Sequence, residues 1–269
     1  MWGIALLLLL PSWIHALVLS PRRWRGHHRL SSSVHQEQLM SSDMCLEVDE
    51  LDRVLGSISK REAHSITEAA PKAKLHRAFS VFLFDNDNRL LLQQRAASKI
   101  TFPNVWTNTC CSHPLFRDEE VDGKEAVASG MVPGIKRAAI RKLHDELGID
   151  PSSLNLQQFK YLTRILYFAK DEVTYGAERC PWCEHEVDYI LFIRADVKLV
   201  PNPEEVQAVR YVTRAELQEM MQPASKLLWS PWFRALAETR LQTWWEDLDA
   251  TLLSNRFVDT QQIHRLGDL

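Results

Sequence analysis

From Arg77 to Phe84, "RAFSVFLF" sets aromatic and β-branched residues in weak alternation; the polar cluster "DNDN" (Asp85 to Asn88) interrupts it, and "RLLLQQR" resumes through Arg95. Two apolar runs around a turn cluster predict a β-hairpin. Between Gly134 and Gly148 the period changes: Ala139, Ile140, Leu143 and Leu147 recur on one helical face, and a glycine occupies the stop position. "EVDYILFIRADV" (Glu186 to Val197) reads as a buried strand, "AVRYVT" (Ala208 to Thr213) as another, and "AELQEMM" (Ala215 to Met221) as a short helix. From Ser230 to Leu248 apolar residues return at helical spacing behind a first-turn proline, which predicts an amphipathic helix. The acidic, glycine-containing stretch Phe116 to Val132 reads as a surface loop. This mixture, with no repeat and no linker, predicts an α/β chain of α+β layers: one mixed sheet flanked by helices and followed by a helical C-terminal region.

The N-terminus departs from that pattern. Trp2 to Leu10 is apolar, Pro11 ends the run, and it resumes from Ile14 to Leu19. A membrane span needs roughly twenty uninterrupted apolar residues, so this is too short for a stable span and reads as a signal-peptide core with Ala16 near the cleavage site. The following "SPRRWRGHHRLSSS" is rich in arginine and serine and free of acid, as organelle transit peptides are. Together they predict a bipartite leader over residues 1–40 that directs the chain to an organelle, with a plastid favoured over a mitochondrion, and to the cytoplasm if the leader is unused. Residues 41–269 then form a single domain.

Composition narrows the partners. A net charge of -3 over 269 residues, 45% of them hydrophobic, fits a globular domain and gives no reason to expect nucleic acid. Five cysteines, an odd number at Cys45, Cys110, Cys111, Cys180 and Cys183, do not make a disulfide framework for so long a chain. The chain reads as a monomer acting on a small molecule.

The polar groups beside the apolar strands carry the chemistry. His64 and His76 precede the first strand, His113 ends "TNTCCSHP", and Glu184 and Glu186 stand two apart in "CEHEVD". Positions i and i+2 of a strand share a face, and two carboxylates on one face repel unless a cation or proton lies between them. Taken singly, each histidine reads as a surface or hydrogen-bonded residue and the glutamates as a solvated strand end. As a group they suit one divalent ion: zinc, manganese or magnesium.

The pieces "LHRAFSVFLF", "LLLQQRAASKITFPNVWTNTCCSHP", "GIKRAAIRKLHDELGI", "EHEVDYILF" and "SPWF" occur in the order found in type I isopentenyl-diphosphate isomerases, which the chain resembles from His64 to its end. The resemblance implies a Nudix-like fold and a ligand set of His64, His76, His113, Glu184 and Glu186. It implies that Cys111, two residues before the histidine, is catalytic, while Cys110 is a packing residue. Lys60, Arg95, Lys99 and Lys142 match the positions that contact the diphosphate. Glu146 matches the residue associated with a magnesium ion bound along with it. Lys142 with Glu146, and Arg141 with Asp145, also read as i, i+4 charge pairs on a solvated face.

Isopentenyl diphosphate has no acidic hydrogen next to a carbonyl, so isomerisation to dimethylallyl diphosphate runs through a tertiary carbocation. One group protonates the terminal carbon and another removes a proton from the neighbouring carbon. The resemblance assigns donation to Glu186 with Tyr167 as relay and acceptance to Cys111, as a thiolate maintained by nearby positive charge; the reverse assignment stays open. Trp232, in "SPWF", matches the tryptophan that shields the cation, although a tryptophan beside Trp229, Trp244 and Trp245 also reads as core.

Two rival readings exist. A Nudix hydrolase would carry a glycine and acids at positions held here by Val127, Pro133 and Lys142, with Asp145 at the first of its glutamate pair, so only part of its metal set is present. "CPWC" (Cys180 to Cys183) could instead make the protein a thiol-redox or metal-binding module.

Overall fold

The computed structural model describes residues 32–269, among which lie ten strands: β1 (Met44–Val48), β2 (Val54–Ser59), β3 (His76–Phe84), β4 (Leu90–Arg95), β5 (Trp106–Thr107), β6 (Cys110–Ser112), β7 (Lys160–Lys170), β8 (Cys183–Arg194), β9 (Val206–Val212) and β10 (Ile263–Asp268). The main path of the sheet runs β10-β7-β8-β3-β1-β2, with β4, β5, β6 and β9 branching from it. All nine residues of β3 are buried. It pairs in parallel with β8 along its whole length, from His76 opposite Glu186 to Phe84 opposite Arg194. A central strand covered on both faces explains why "RAFSVFLF" alternates only weakly.

Residues of β3 divide between two cores because alternate side chains leave opposite faces. Phe79, Val81 and Leu83 pack with Ile135, Leu143 and Leu147 of the Pro133–Leu147 helix, while Phe82 and Phe84 pack with Trp232, Phe233 and Trp245 from the C-terminal helices. Gly148 ends the first of these helices at φ 62°, and a Cβ there would lie 2.3 Å from the Val200 carbonyl oxygen, so a side chain has neither the conformation nor the room.

The expected hairpin exists only at its tip. Asp85 Oδ1 accepts from the backbone N–H groups of Asp87 and Arg89 and closes the turn, but β3 and β4 then share a single pair, Phe84 opposite Leu90. Strand β4 turns away to pair with β9, and β6 enters the gap to place Cys111 opposite Ser80. Apolar alternation specifies a strand and polar residues a turn; neither specifies the neighbour each edge takes. β1 and β2 do form an N-terminal hairpin.

Two other expectations change. Phe116 to Val132 contains a helix, Lys124–Ser129, bracketed by Gly123 and Gly130. The expected single helix from Ser230 to Leu248 starts at Pro231, widens to a π turn over Ala237–Leu241, and breaks at Asp247, which caps the separate helix Leu248–Leu253. Widening one turn keeps Trp232 and Phe233 in the same core as Trp244 and Trp245.

At the N-terminus, Gln36 and Met40 of the Ser32–Ser42 helix are buried in the fold, which therefore begins before residue 41. The apolar run Trp2 to Leu10, Ala16 and the arginine-rich stretch up to residue 31 lie outside the described residues. Among the described residues no helix is long and apolar enough to cross a membrane.

Candidate active site

Four separate elements meet where β3 and β8 begin. The capping box of Ser59 and Glu62 starts the helix Lys60–His64, which delivers His64 at its last residue. His76 opens β3, His113 follows β6, and Glu184 and Glu186 share one face of β8. One ligand atom from each of these five buried residues lies within 4.8 Å of all the others. His64 Nε2 stands 2.8 Å from Glu184 Oε2, and His113 Nε2 stands 2.8 Å from Glu186 Oε1.

The set fits a cation by its own bonding. His64 Nδ1 is 2.6 Å from the Lys60 carbonyl oxygen and His76 Nδ1 is 3.0 Å from that of Lys74, so each ring gives its Nδ1 proton to the backbone and turns an Nε2 lone pair inward. His64 Nε2, His76 Nε2 and Glu184 Oε2 are buried and make no aligned hydrogen bond, the 2.8 Å between His64 Nε2 and Glu184 Oε2 included. Electrostatics agree. Burial, reinforced by His76, holds the His113 imidazole well below its ordinary value; for His76 burial works downward but the Glu186 and Glu184 carboxylates outweigh it and raise the ring.

Cys111, Glu186 and Trp232 line one small cavity of about 20 Å³, together with Lys60, Arg95 and Lys99. That is room for about one water molecule, so a larger ligand enters only as the walls part. Tyr167 donates a short hydrogen bond to Glu186 Oε2, and its ring stacks on Trp232 at 6.2 Å between centroids. Trp232 is also edge-on to Phe102, so it belongs to the core and to the cavity wall at once.

Cys111 differs from its expectation. Burial, with the Glu186 and Asp188 carboxylates, pushes its thiol well above the ordinary value, which favours a neutral thiol over a thiolate. Ser80 Oγ lies 3.5 Å from Cys111 Sγ and donates to Asp188 Oδ2 at 2.8 Å. Neither Ser80 nor Asp188 was expected here. Asp188 continues the period-two run of acids at Glu184 and Glu186, and that alternation was the signal for it.

The basic residues are anchored rather than free. Arg95 donates to the carbonyls of Phe102 and Thr101, at 2.9 and 2.7 Å. Lys99 Nζ is 2.5 Å from Glu205 Oε2; burial pulls this ammonium down to about 8 even though Glu205 works upward. Glu205 itself lies far below its usual range because Lys99 and Lys142 outweigh its burial. Gln36 Nε2 donates to Glu205 Oε1 at 3.0 Å, which ties the N-terminal helix to this cluster. Lys142 does not line the cavity. It lies 3.3 Å from Glu146, the i, i+4 pair read from the sequence, but here both partners are buried. Glu146 lines the cavity and accepts from Gln93 at 3.0 Å. No sequence pattern marks Glu205, which reaches the cluster from the loop before β9.

Comparison with known proteins supplies the family. A Nudix domain matches residues 74–233. Isopentenyl-diphosphate Delta-isomerase II, chloroplastic, of Arabidopsis thaliana is 45% identical over 235 residues, which cover 86% of this chain and 78% of that protein. Isopentenyl-diphosphate Delta-isomerase II of Clarkia breweri is 44% identical, covering 86% and 77%, and the Bos taurus isopentenyl-diphosphate Delta-isomerase 1 is 43% identical, covering 86% and 95%. With that identity over most of its length, and with the mixed sheet and flanking helices of a Nudix domain, the chain belongs to the isopentenyl-diphosphate Delta-isomerase family.

Proposed function

We propose that the protein interconverts isopentenyl diphosphate and dimethylallyl diphosphate by protonation and deprotonation on opposite sides of the carbon skeleton. The observation that carries this reading is that Cys111 and the Tyr167-bonded carboxyl of Glu186 belong to one closed, tryptophan-walled cavity edged with basic residues.

Glu186 gives the proton to the terminal carbon, and Tyr167, which donates to Glu186 Oε2, relays its replacement. Cys111 takes a proton from the neighbouring carbon and must be a thiolate to do so; Ser80 Oγ lies beside its sulfur, and the cationic intermediate with the basic residues of the cavity supplies the positive charge that offsets surroundings favouring the thiol. Trp232 presents a π face to the developing cation and excludes water, a contribution of about 1–2 kcal/mol where the site is dry. Lys60, Arg95 and Lys99 hold the diphosphate at the cavity edge, while Lys142 acts through Glu146.

His64, His76, His113, Glu184 and Glu186 would hold one divalent ion, magnesium, manganese or zinc, which neutralises the paired carboxylates and raises the acidity of the Glu186 group. Glu146 would take part in binding the magnesium that accompanies the diphosphate. The acid-free arginine-rich leader and the chloroplastic relatives support import into a plastid. Hydrolysis is disfavoured by Pro133 and Lys142, which stand where acids would bind catalytic magnesium.

The test is direct. Purified protein with isopentenyl diphosphate and magnesium should release the dimethylallyl isomer, and release of inorganic phosphate or pyrophosphate in its place would overturn the proposal. Tagged full-length chain and a version lacking residues 1–31 should separate between plastid and cytoplasm.

A further inference from the structure

The "CPWC" segment has no part in the reaction above, yet it is bound to the element that carries His64. Trp182 pairs with Ser65 in an isolated bridge, and the Ile66 N–H donates to the Pro181 carbonyl oxygen at 3.0 Å. The guanidinium of Arg61, on the His64 helix, lies over the Trp182 ring at 5.7 Å. On the other side the Asp171 N–H donates to the Trp182 carbonyl oxygen at 3.0 Å. The very next residues are Cys183, fully buried, and Glu184, which touches His64 Nε2.

The two thiols are both free and stand three residues apart on the segment that leads into β8, which Cys183 opens. Cys180 Sγ lies 2.9 Å from the carbonyl oxygen of Trp182, which is bonded through its peptide directly to Cys183. Cys180 is half-buried and reachable from solvent, whereas Cys183 is sealed beneath Phe168 and Ala73. An accessible attacking thiol with a sequestered resolving thiol three residues on is the arrangement that thiol–disulfide exchange requires.

We propose that Cys180 and Cys183 form a reversible dithiol–disulfide couple, exchanged with an external disulfide such as oxidised glutathione or an oxidised dithiol protein, and that closing it loosens the ion held by His64 and Glu184. Cys180 attacks one sulfur of the external disulfide, releasing the first thiolate and forming a mixed disulfide. Cys183 then attacks the Cys180 sulfur and releases the second. Two electrons pass to the external partner and two protons to solvent. Drawing the sulfurs together displaces the Trp182 peptide, whose bonds to Ser65, Ile66 and Asp171 fix both the His64 helix and the start of β8. Only this consequence rests on the metal reading of the site; the couple itself does not.

The experiment uses the full chain, reduced and loaded with metal, equilibrated in glutathione buffers of stepped oxidation, then alkylated and mapped by peptide mass, with metal affinity followed by chelator competition. The expected result is loss of two alkylatable thiols confined to Cys180 and Cys183, reversed by dithiothreitol, with the metal Kd raised about 10-fold, the size of effect typical when the surroundings of a ligand shift. Cys180→Ser and Cys180→Ala should lose both changes while keeping the reduced protein's melting temperature. Both thiols remaining free in the most oxidised buffer, or pairing with Cys45, Cys110 or Cys111, overturns the couple. A second bound ion that disappears in the Cys180 variants also overturns it, in favour of a metal-binding pair. A mapped disulfide with unchanged metal affinity overturns the coupling. None of these readouts needs substrate, so they stand or fall separately from the isomerase assay.

Discussion

Removing the divalent ion should destabilise the protein by an amount set by the atoms it leaves behind. His64 Nε2, His76 Nε2 and Glu184 Oε2 are buried without an aligned hydrogen bond, although the first and last lie 2.8 Å apart, and each such atom costs about 1–3 kcal/mol, which gives about 3–9 kcal/mol in all. In a domain of this size each kcal/mol moves the melting temperature by about 2–4 °C, so even the lower end predicts a fall of about 6 °C on chelation. By linkage, 3 kcal/mol also requires the free ion to stand about 150-fold above its Kd. The sign of the pH dependence follows from His76, whose ring is raised above its ordinary 6.5 in the ion-free fold by its carboxylate partners, against its burial. A raised histidine contributes stability that is complete below 6.5 and is lost as pH rises through the folded-state value; His113, depressed by burial, is neutral in both states above 6.5 and adds no slope there. The ion-free protein should therefore weaken from pH 6.5 upward, and the gap to the loaded form should widen. Differential scanning calorimetry at stepped pH, with metal content measured on the same samples, tests this. A shift below about 2 °C in protein shown to be metal-free would refute the idea that these atoms face a cation.

Cys111→Ala should lower kcat by at least about 100-fold, the smaller end of what a positioned acid or base supplies, and leave metal content and melting temperature unchanged; near-normal turnover refutes its role. Because Lys99 titrates near 8 and neutralises as pH rises, substrate KM should climb above that pH, and Glu205→Gln should move the rise to lower pH by removing the carboxylate that supports the ammonium. An unmoved KM profile would separate Lys99 from the diphosphate. Asp52, at φ 62°, accepts from Arg77 Nε at 2.8 Å, from Arg164 and from Tyr189 in a buried cluster. Asn tolerates that backbone conformation, so Asp52→Asn keeps the turn but removes the charge and sets an NH2 donor where one oxygen accepted from a donor, and should cost about 3–5 kcal/mol in denaturant unfolding; a cost below about 1 kcal/mol would show that the two guanidinium groups find compensation elsewhere.

What could be read in the sequence follows the range of the forces involved. The Pro133–Leu147 helix was legible because its period and glycine stop are local, and so were β8 and β9 to within a few residues. The parallel pairing of β3 with β8 and the insertion of β6 beside β3 were not, because an edge's partner lies far along the chain. The site shows the same division. The histidines and glutamates were grouped by charge repulsion and by resemblance, and the fold brings all five together. Asp188 was missed although a visible alternation marked it, whereas Glu205 and Gln36 joined the basic cluster with no pattern to announce them. Lys142 makes the i, i+4 pair with Glu146 that the local reading offered, but with both partners buried and not on a solvated face.

The opposition of His76 and Glu186 across two parallel strands has a consequence for the order of assembly. His64, His76 and His113 precede the two carboxylates along the chain, and His76 comes to face Glu186 only when β3 and β8 pair. A cation that needs all five ligands can therefore be held only once the sheet has formed.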